Sequence, residues 1–300
     1  MAHLSGETMG TSWSVHAVAP TAGLREEITG VLDRIIAEMS HWARDSHLSR
    51  FNRAEPGRWQ PLPPGFATVL TAALDVAQAS GGAFDPAMGL LANLWGFGPA
   101  GPRDGVPSDR EVADALALSG VRHIEQDGAR ARRLSHATLD FSGIAKGHAV
   151  DAVAERLLAL GIADVLVEIG GELRGEGIKP DGQPWWVDVE AAPGAPVAPI
   201  RVALHGLSIA TSGDYRRSFR HEGRDYAHTL DPRTGRPLAN AVASVTVLHP
   251  SAMRADAWAT ALGVLGPEGM ALAAREGLAA HMVVRGGGEH LSPAFAAMLG

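Results

Sequence analysis

Asp256 and Thr260 stand four residues apart in Arg254-Ala-Asp-Ala-Trp-Ala-Thr260. On a helix, positions i and i+4 share a face, so this carboxylate and hydroxyl converge on one point. Both are hard oxygen donors, suited to Mg²⁺ and poor for zinc or copper. The alternative is an aspartate near a helix start and a threonine bonding back to a carbonyl. In Leu139-Asp-Phe-Ser-Gly-Ile-Ala-Lys-Gly147 an apolar segment runs into a helix start. Gly143 permits close backbone approach there, the first N–H groups attract an anion, and Lys146 could add a point charge to a phosphate. The spacing is not that of a Walker loop, and the alternative is a glycine-rich strand-to-helix turn with a solvated lysine. His228 precedes Asp231-Pro-Arg-Thr-Gly235, a turn signature, and a histidine fixed by that turn could take a proton from an attacking hydroxyl near neutral pH. A structural histidine is its alternative.

Two further groups carry an aromatic. Gly81-Gly-Ala-Phe-Asp-Pro86 could hold a flat heterocycle, with Asp85 accepting from ring N–H groups, although helix termination explains the same residues. Trp42, beside a polar stretch, either stacks on a ring system or covers the core. A lysine, a histidine and hard oxygen ligands are the parts needed to bind and cleave a phosphoanhydride with magnesium. An enzyme is therefore the leading reading. No Gly-x-Ser-x-Gly nucleophile motif occurs, and Gly170 to Gly177 does not fit the dinucleotide fingerprint, so it reads as a hairpin.

Periodicity supplies the elements that must position these residues. Helical spacing predicts helices over 25–39, 66–79, 109–118, 146–160 and 252–265. Strands are expected at 11–19, 165–169, 186–190, 202–204, 244–248 and 282–285. The charged stretch after Ser40 (Arg44, Asp45, His47, Arg50) reads as an exposed loop. Adjacent strands mix with isolated helices without a regular βαβ repeat, which favours α+β over a doubly wound sheet. One domain over 1–300, with two intertwined lobes at most, is the expectation.

Composition narrows the class. Hydrophobic content of 46% with 20% charged residues is ordinary for a globular protein. A net charge of −7 leaves no basic excess for nucleic acid or an anionic membrane, while a local basic pocket for one pyrophosphate remains compatible with it. The absence of cysteine excludes disulfides, thiolate nucleophiles, zinc–cysteine sites and iron–sulfur clusters. No apolar run approaches the roughly 18 residues of a spanning helix, so no membrane span is expected. The start of the chain has neither a basic region nor an apolar run, which reads as cytoplasmic, or periplasmic if a leader was removed.

Taken in order, nine blocks resemble the ApbE family of FAD:protein FMN transferases. They are Glu7-Thr-Met-Gly-Thr11, Met39-Ser through Ser49-Arg-Phe-Asn52, Gly82 to Pro86, Leu94-Trp-Gly-Phe-Gly98 and Leu139-Asp to Lys146-Gly147. Glu168-Ile-Gly-Gly171, Thr211-Ser-Gly-Asp-Tyr215, Tyr226 to Pro237 and Ala255 to Thr260 complete the series. The resemblance implies an α+β fold with FAD in a cleft between two lobes and Mg²⁺ on its pyrophosphate. It implies transfer of the FMN half to a threonine hydroxyl of a target flavoprotein, with release of AMP. By the same resemblance, Met9, Trp42, Ala83, Phe84, Asp85, Asp140, Lys146 and Leu230 match FAD-contacting positions. Gly143 and Ala259, through their carbonyls, match the metal site together with Asp256 and Thr260, and His228 matches the base. Trp42 departs from a frequent tyrosine, and the lipoprotein cysteine of many members is missing. Two rivals stay open: an FAD pyrophosphatase using water as acceptor, and a non-catalytic flavin-binding protein.

Overall fold

Val165, Val167 and Ile169 are buried while Leu166 and Glu168 between them are half-buried, the period-two pattern of a strand with one face on a core. That strand lies in an eight-stranded sheet ordered Ala2–Thr8, Thr11–Ala17, Val165–Ile169, Glu172–Glu176, Leu207–Gly213, Val242–His249, Ala279–Val284 and Gly288–Leu291. Every neighbouring pair is antiparallel. The computed structural model describes residues 1–190, 197–213 and 218–299.

Two compact units emerge. The first comprises Met1–Ile35, Ile144–Gly213 and Val242–Gly300, and it contains the whole eight-stranded sheet. Against that sheet pack two helices, Ala145–Ala159 and Ala252–Leu265. The second helix is apolar on nearly all sides, and Ala255, Ala259, Leu262 and Gly263 are among its buried residues, as expected of a helix enclosed by protein. A hairpin of Trp185–Asp188 and Arg201–Leu204 adds its own small core with Ile209, Leu248 and Phe295.

The second unit comprises Ile36–Gly143 and Asp214–Ala241. Helix Pro64–Ala79 buries Phe66, Val69, Leu70, Ala73 and Val76, and Gly81 and Gly82 stop it in positive-φ conformations. Helix Asp109–Leu118 starts in a capping box between Ser108 and Glu111. Short strands Gln60–Pro61, Ile124–Asp127 and Arg130–Arg133 form one small sheet, and Ser218–His221 with Arg224–Ala227 a hairpin.

The mixed antiparallel architecture agrees with the α+β expectation. One reading is corrected: residues 47–53 are not a loop but helix His47–Arg53. Ser46 caps it by accepting the Ser49 N–H at 2.9 Å, and Leu48 and Phe51 are buried although the flanking charges are exposed. Of the nine blocks, Asp214 and Tyr215 lie outside the described residues. Among the described residues no helix is long and apolar enough to cross a membrane.

Candidate active site

In the first unit the chemistry gathers where two helices start. Ile144, at the head of Ala145–Ala159, offers no capping side chain. The cap comes from Asp256 instead, whose Oδ2 accepts the Gly147 N–H at 3.1 Å. Asp256 is only 6% exposed, and its carboxylate lies at the positive end of that helix's dipole. The favour is returned: Asp151 accepts from Ala252 N–H at 2.9 Å, Met253 N–H at 3.0 Å and Ser251 Oγ at 2.7 Å, and so caps Ala252–Leu265. Arg174 donates to Asp151 at 2.9 Å and balances it. Gly147 makes this closeness feasible, because a Cβ there would meet the Ala252 carbonyl carbon at 2.6 Å and Met253 Cα at 2.7 Å.

Thr260 lies one turn beyond Asp256 on the same helix and is half-buried, and Ala259 is fully buried. Among the described residues no three His, Asp or Glu side chains surround a point. A metal here would rest on one carboxylate, a hydroxyl and carbonyl oxygens. That is an Mg²⁺ donor set and not a zinc one. The residues of the first unit therefore fit the ion; Gly143 belongs to the second unit.

Lys146 is not a solvated lysine. Its Nζ pairs with Glu172, whose side chain is 2% exposed. A carboxylate that deeply buried calls for a cationic partner, and the contact holds the Lys146 side chain in place. Met9 sits in the turn between the first two strands at φ 48°, followed by Gly10 at φ 74°. Two positive φ values match a type I′ hairpin, and a methionine there is a strained choice.

In the second unit Asp140 is held by three contacts. Its Oδ1 lies 3.2 Å from His41 Nδ1 and accepts the Ser142 N–H at 2.8 Å and the Ser142 hydroxyl at 2.5 Å. Burial pushes its pKa up, but the His41 bond and charge and the two Ser142 bonds outweigh that and leave it below the ordinary value. The Asn52 side chain clamps the adjacent Leu139 through both its N–H and its carbonyl, at 2.9 and 2.8 Å. His41, Asn52, Gly89, Asn93, Leu139 and Asp140 line a cavity of about 270 Å³.

Trp42 is 56% exposed beside His41, so it does not cover the core. Ala83 and Phe84 are buried. Asp85 accepts the Ala87 N–H at 2.8 Å and the Val121 N–H at 3.0 Å, which ties its turn to the segment just after helix Asp109–Leu118, and burial raises its pKa despite those bonds. His228 packs edge-on against Phe97 with ring centroids 6.4 Å apart. Leu230 packs against the cluster of Leu91, Trp95 and Phe97. The turn after them is rigid: Asp231 accepts from Arg233 and, through its carbonyl, from Gly235 N–H at 2.8 Å, while Trp95 Nε1 donates to Gly235 O at 2.8 Å.

In the first unit Asp256 is thus joined to Gly147 and Lys146 to Glu172, with Asp151 at the head of the helix that carries Asp256 and Thr260, and the sequence singled out none of these three partners. The geometry joins Asp140 to His41 and Asn52 in the second unit. A carboxylate amid the inward face of helix Ala145–Ala159 was the available signal for Asp151; nothing in the sequence marked Glu172.

Comparison with known proteins agrees with the resemblance. The model of the ApbE family matches residues 9–282. The FAD:protein FMN transferase of Vibrio cholerae serotype O1 is 39% identical over 94% of this chain and 87% of its own length. That of Haemophilus influenzae is 36% identical over 94% and 86%. Among solved structures, the apo flavinyl transferase ApbE of Pseudomonas stutzeri is similar with a TM-score of 0.92 and 42% identity, covering 99% of this chain and 96% of its own. The Vibrio cholerae flavin transferase ApbE gives a TM-score of 0.91 at 36% identity, covering 99% and 98%.

Proposed function

The chain belongs to the ApbE family and is a flavin transferase, and from that premise we propose that it moves the FMN half of FAD onto a threonine hydroxyl of an acceptor flavoprotein and releases AMP. In this reaction the threonine oxygen bonds to the FMN phosphorus while the phosphoanhydride bond breaks, and AMP leaves with the bridging oxygen. His228, held by its neighbouring turn and by Phe97, takes the threonine proton. Lys146, fixed on Glu172, faces phosphate charge with its ammonium. Asp256, Thr260 and the carbonyls of Ala259 and Gly143 would hold Mg²⁺, which supplies charge neutralisation on the pyrophosphate. Met9, Trp42, Ala83, Phe84, Asp85, Asp140 and Leu230 contact FAD in this reading. The exposed Trp42 ring stacks on a flat group, and Asp140 stays ionised to accept from a hydroxyl or ring N–H.

The observation that carries the proposal is the buried Asp256 carboxylate, fixed on the Gly147 N–H one helical turn from Thr260. A flavin carrier would have no use for an oxygen-donor set of this kind. Incubation with FAD, Mg²⁺ and a threonine-bearing acceptor tests it. Covalent FMN on the acceptor with AMP in equal amount is expected. AMP with free FMN and no adduct would make the protein a pyrophosphatase, and no AMP at all would make it a carrier.

A further inference from the structure

Beside the candidate base lies a second cavity, of about 300 Å³, which the flavin reading leaves unassigned. Its apolar wall is Trp95, Phe97 and Phe219, and its polar lining includes Arg103, Arg220 and His221, with no carboxylate among the lining residues. Rings run in unbroken contact from this cavity to His228. Trp95 meets Tyr226 at 5.8 Å, Tyr226 stacks on Phe219 at 5.1 Å, Phe219 meets Phe97 at 5.5 Å, and Phe97 meets His228 at 6.4 Å. The cavity is therefore built into the same aromatic cluster that sets the histidine.

The basic lining runs against the charge of the whole chain, which is −7. Its guanidiniums are only loosely engaged. Arg103 reaches Glu111 at 3.4 Å and the Leu94 carbonyl at 3.3 Å, while Arg220, 70% exposed, reaches Asp225 at 3.8 Å and the Gly223 carbonyl at 3.3 Å. His221 is 3.9 Å from Glu222. The Arg220 pair is long and solvent-facing and contributes little, so an arriving carboxylate can take that guanidinium, while Arg103, 29% exposed and also in long contacts, lines the cavity as a second cation. The hairpin Ser218–His221 with Arg224–Ala227 is a two-stranded sheet among the described residues, and each of its strands has an outer edge of backbone groups to which an extended chain can add.

We propose that this cavity and hairpin edge form the docking surface for the acceptor protein, taking an extended segment that carries a carboxylate and an apolar side chain close to the target threonine. The proposal deepens the transferase reading and rests on it for the identity of the partner. Charge and shape choose the occupant: guanidiniums suit a carboxylate, the ring wall suits an apolar neighbour, and the hairpin edge suits extended backbone.

The test is a binding measurement on the protein without FAD. A fluorescein-labelled peptide of alternating aspartate and phenylalanine around one threonine is compared by anisotropy with the same peptide carrying asparagine for aspartate. The acidic peptide is expected to bind at least about tenfold more tightly. Arg220→Glu, a change at an exposed side chain that leaves the core alone, should erase the difference, and Arg103→Gln should reduce it. Equal binding of the two peptides, or an undiminished difference in Arg220→Glu, overturns the proposal. Displacement of the peptide by equimolar AMP also overturns it, because the lining would then be a nucleotide site. FMN adduct formation is scored separately by mass, so a failed transferase reading is not confused with a failed docking surface.

Discussion

Asp151 and Asp256 cap each other's helices. Asp256, on Ala252–Leu265, accepts the Gly147 N–H at the start of Ala145–Ala159, and Asp151, on the latter, accepts the first two N–H groups of the former. Each carboxylate lies at the positive end of its neighbour's dipole. The arrangement fixes Asp256 before any metal arrives. It also means that this residue carries a structural duty beside its proposed chemical one.

The two duties separate by substitution. Asp256→Ala should lose Mg²⁺-dependent FAD cleavage and also about 1–2 kcal/mol of stability, the usual cost of a lost cap. Asp256→Asn keeps an oxygen for the Gly147 N–H and should retain most of the stability while activity is still lost. Thermal unfolding and AMP release measured on both variants check this. An inactive but fully stable alanine variant would deny the capping role, and an active asparagine variant would deny the metal role.

Two glycines on these helices should respond oppositely. Gly147→Ala forces a Cβ into the backbone of Ala252 and Met253, so the helices must part and stability should fall by at least about 1–3 kcal/mol. At Gly263 a Cβ would meet nothing nearer than Val245 Cγ2 at 4.0 Å, so alanine should be tolerated or add up to about 1 kcal/mol. Gly263 is also four residues after Ala259. If the Ala259 carbonyl turns toward Mg²⁺, glycine there eases the local helix distortion, and Gly263→Ala should raise the Mg²⁺ concentration needed for half-maximal rate. Unchanged Mg²⁺ dependence in a stable Gly263→Ala protein would remove Ala259 from the ligand set.

What the sequence made legible follows from range. Helices Asp109–Leu118 and Ala252–Leu265 and strand Val165–Ile169 stood out because one-sided or total apolarity repeats along them. Strand Leu207–Gly213 did not, since it buries Ser208 and Thr211, and Thr211 meets the buried Thr246 hydroxyl at 2.9 Å across the sheet. Buried polar pairs erase the hydrophobic signal. Helix His47–Arg53 was hidden for the opposite reason, having only two large apolar residues among charges. The Asp256–Thr260 spacing is local and could be read. The Gly147 partner of Asp256, the His41 partner of Asp140 and the Glu172 partner of Lys146 come from distant segments, and contacts of that range exist only once the chain has folded.

His228→Ala should still bind FAD yet transfer FMN roughly 10²–10⁴-fold more slowly, the range for a positioned general base. The deficit should shrink at high pH, where the acceptor hydroxyl needs less help. Isothermal titration with FAD and a single-turnover assay across pH distinguish the cases. Lost FAD binding with normal turnover of the bound fraction would make His228 a binding residue.

The last expectation concerns acid. Asp140 has a folded pKa below its ordinary value of 3.8, so its ionised form is favoured by folding. The sign follows: that stabilisation is complete above the ordinary value and is lost as pH falls through it toward the lower folded value. Burial alone would do the reverse, and the His41 contact at 3.2 Å is the first of the groups that offset it. Removing the imidazole in His41→Ala leaves a buried carboxylate held, among the described residues, by the two Ser142 bonds, so its pKa should rise. The variant should be less stable at neutral pH, and its remaining stability should depend less steeply on pH below about 4, because folding no longer favours the ionised form as strongly. Urea unfolding followed by tryptophan fluorescence between about pH 3 and pH 7 measures both curves. Parallel curves, offset by a constant at every pH, would show that His41 stabilises this segment by packing and not through the charge of Asp140.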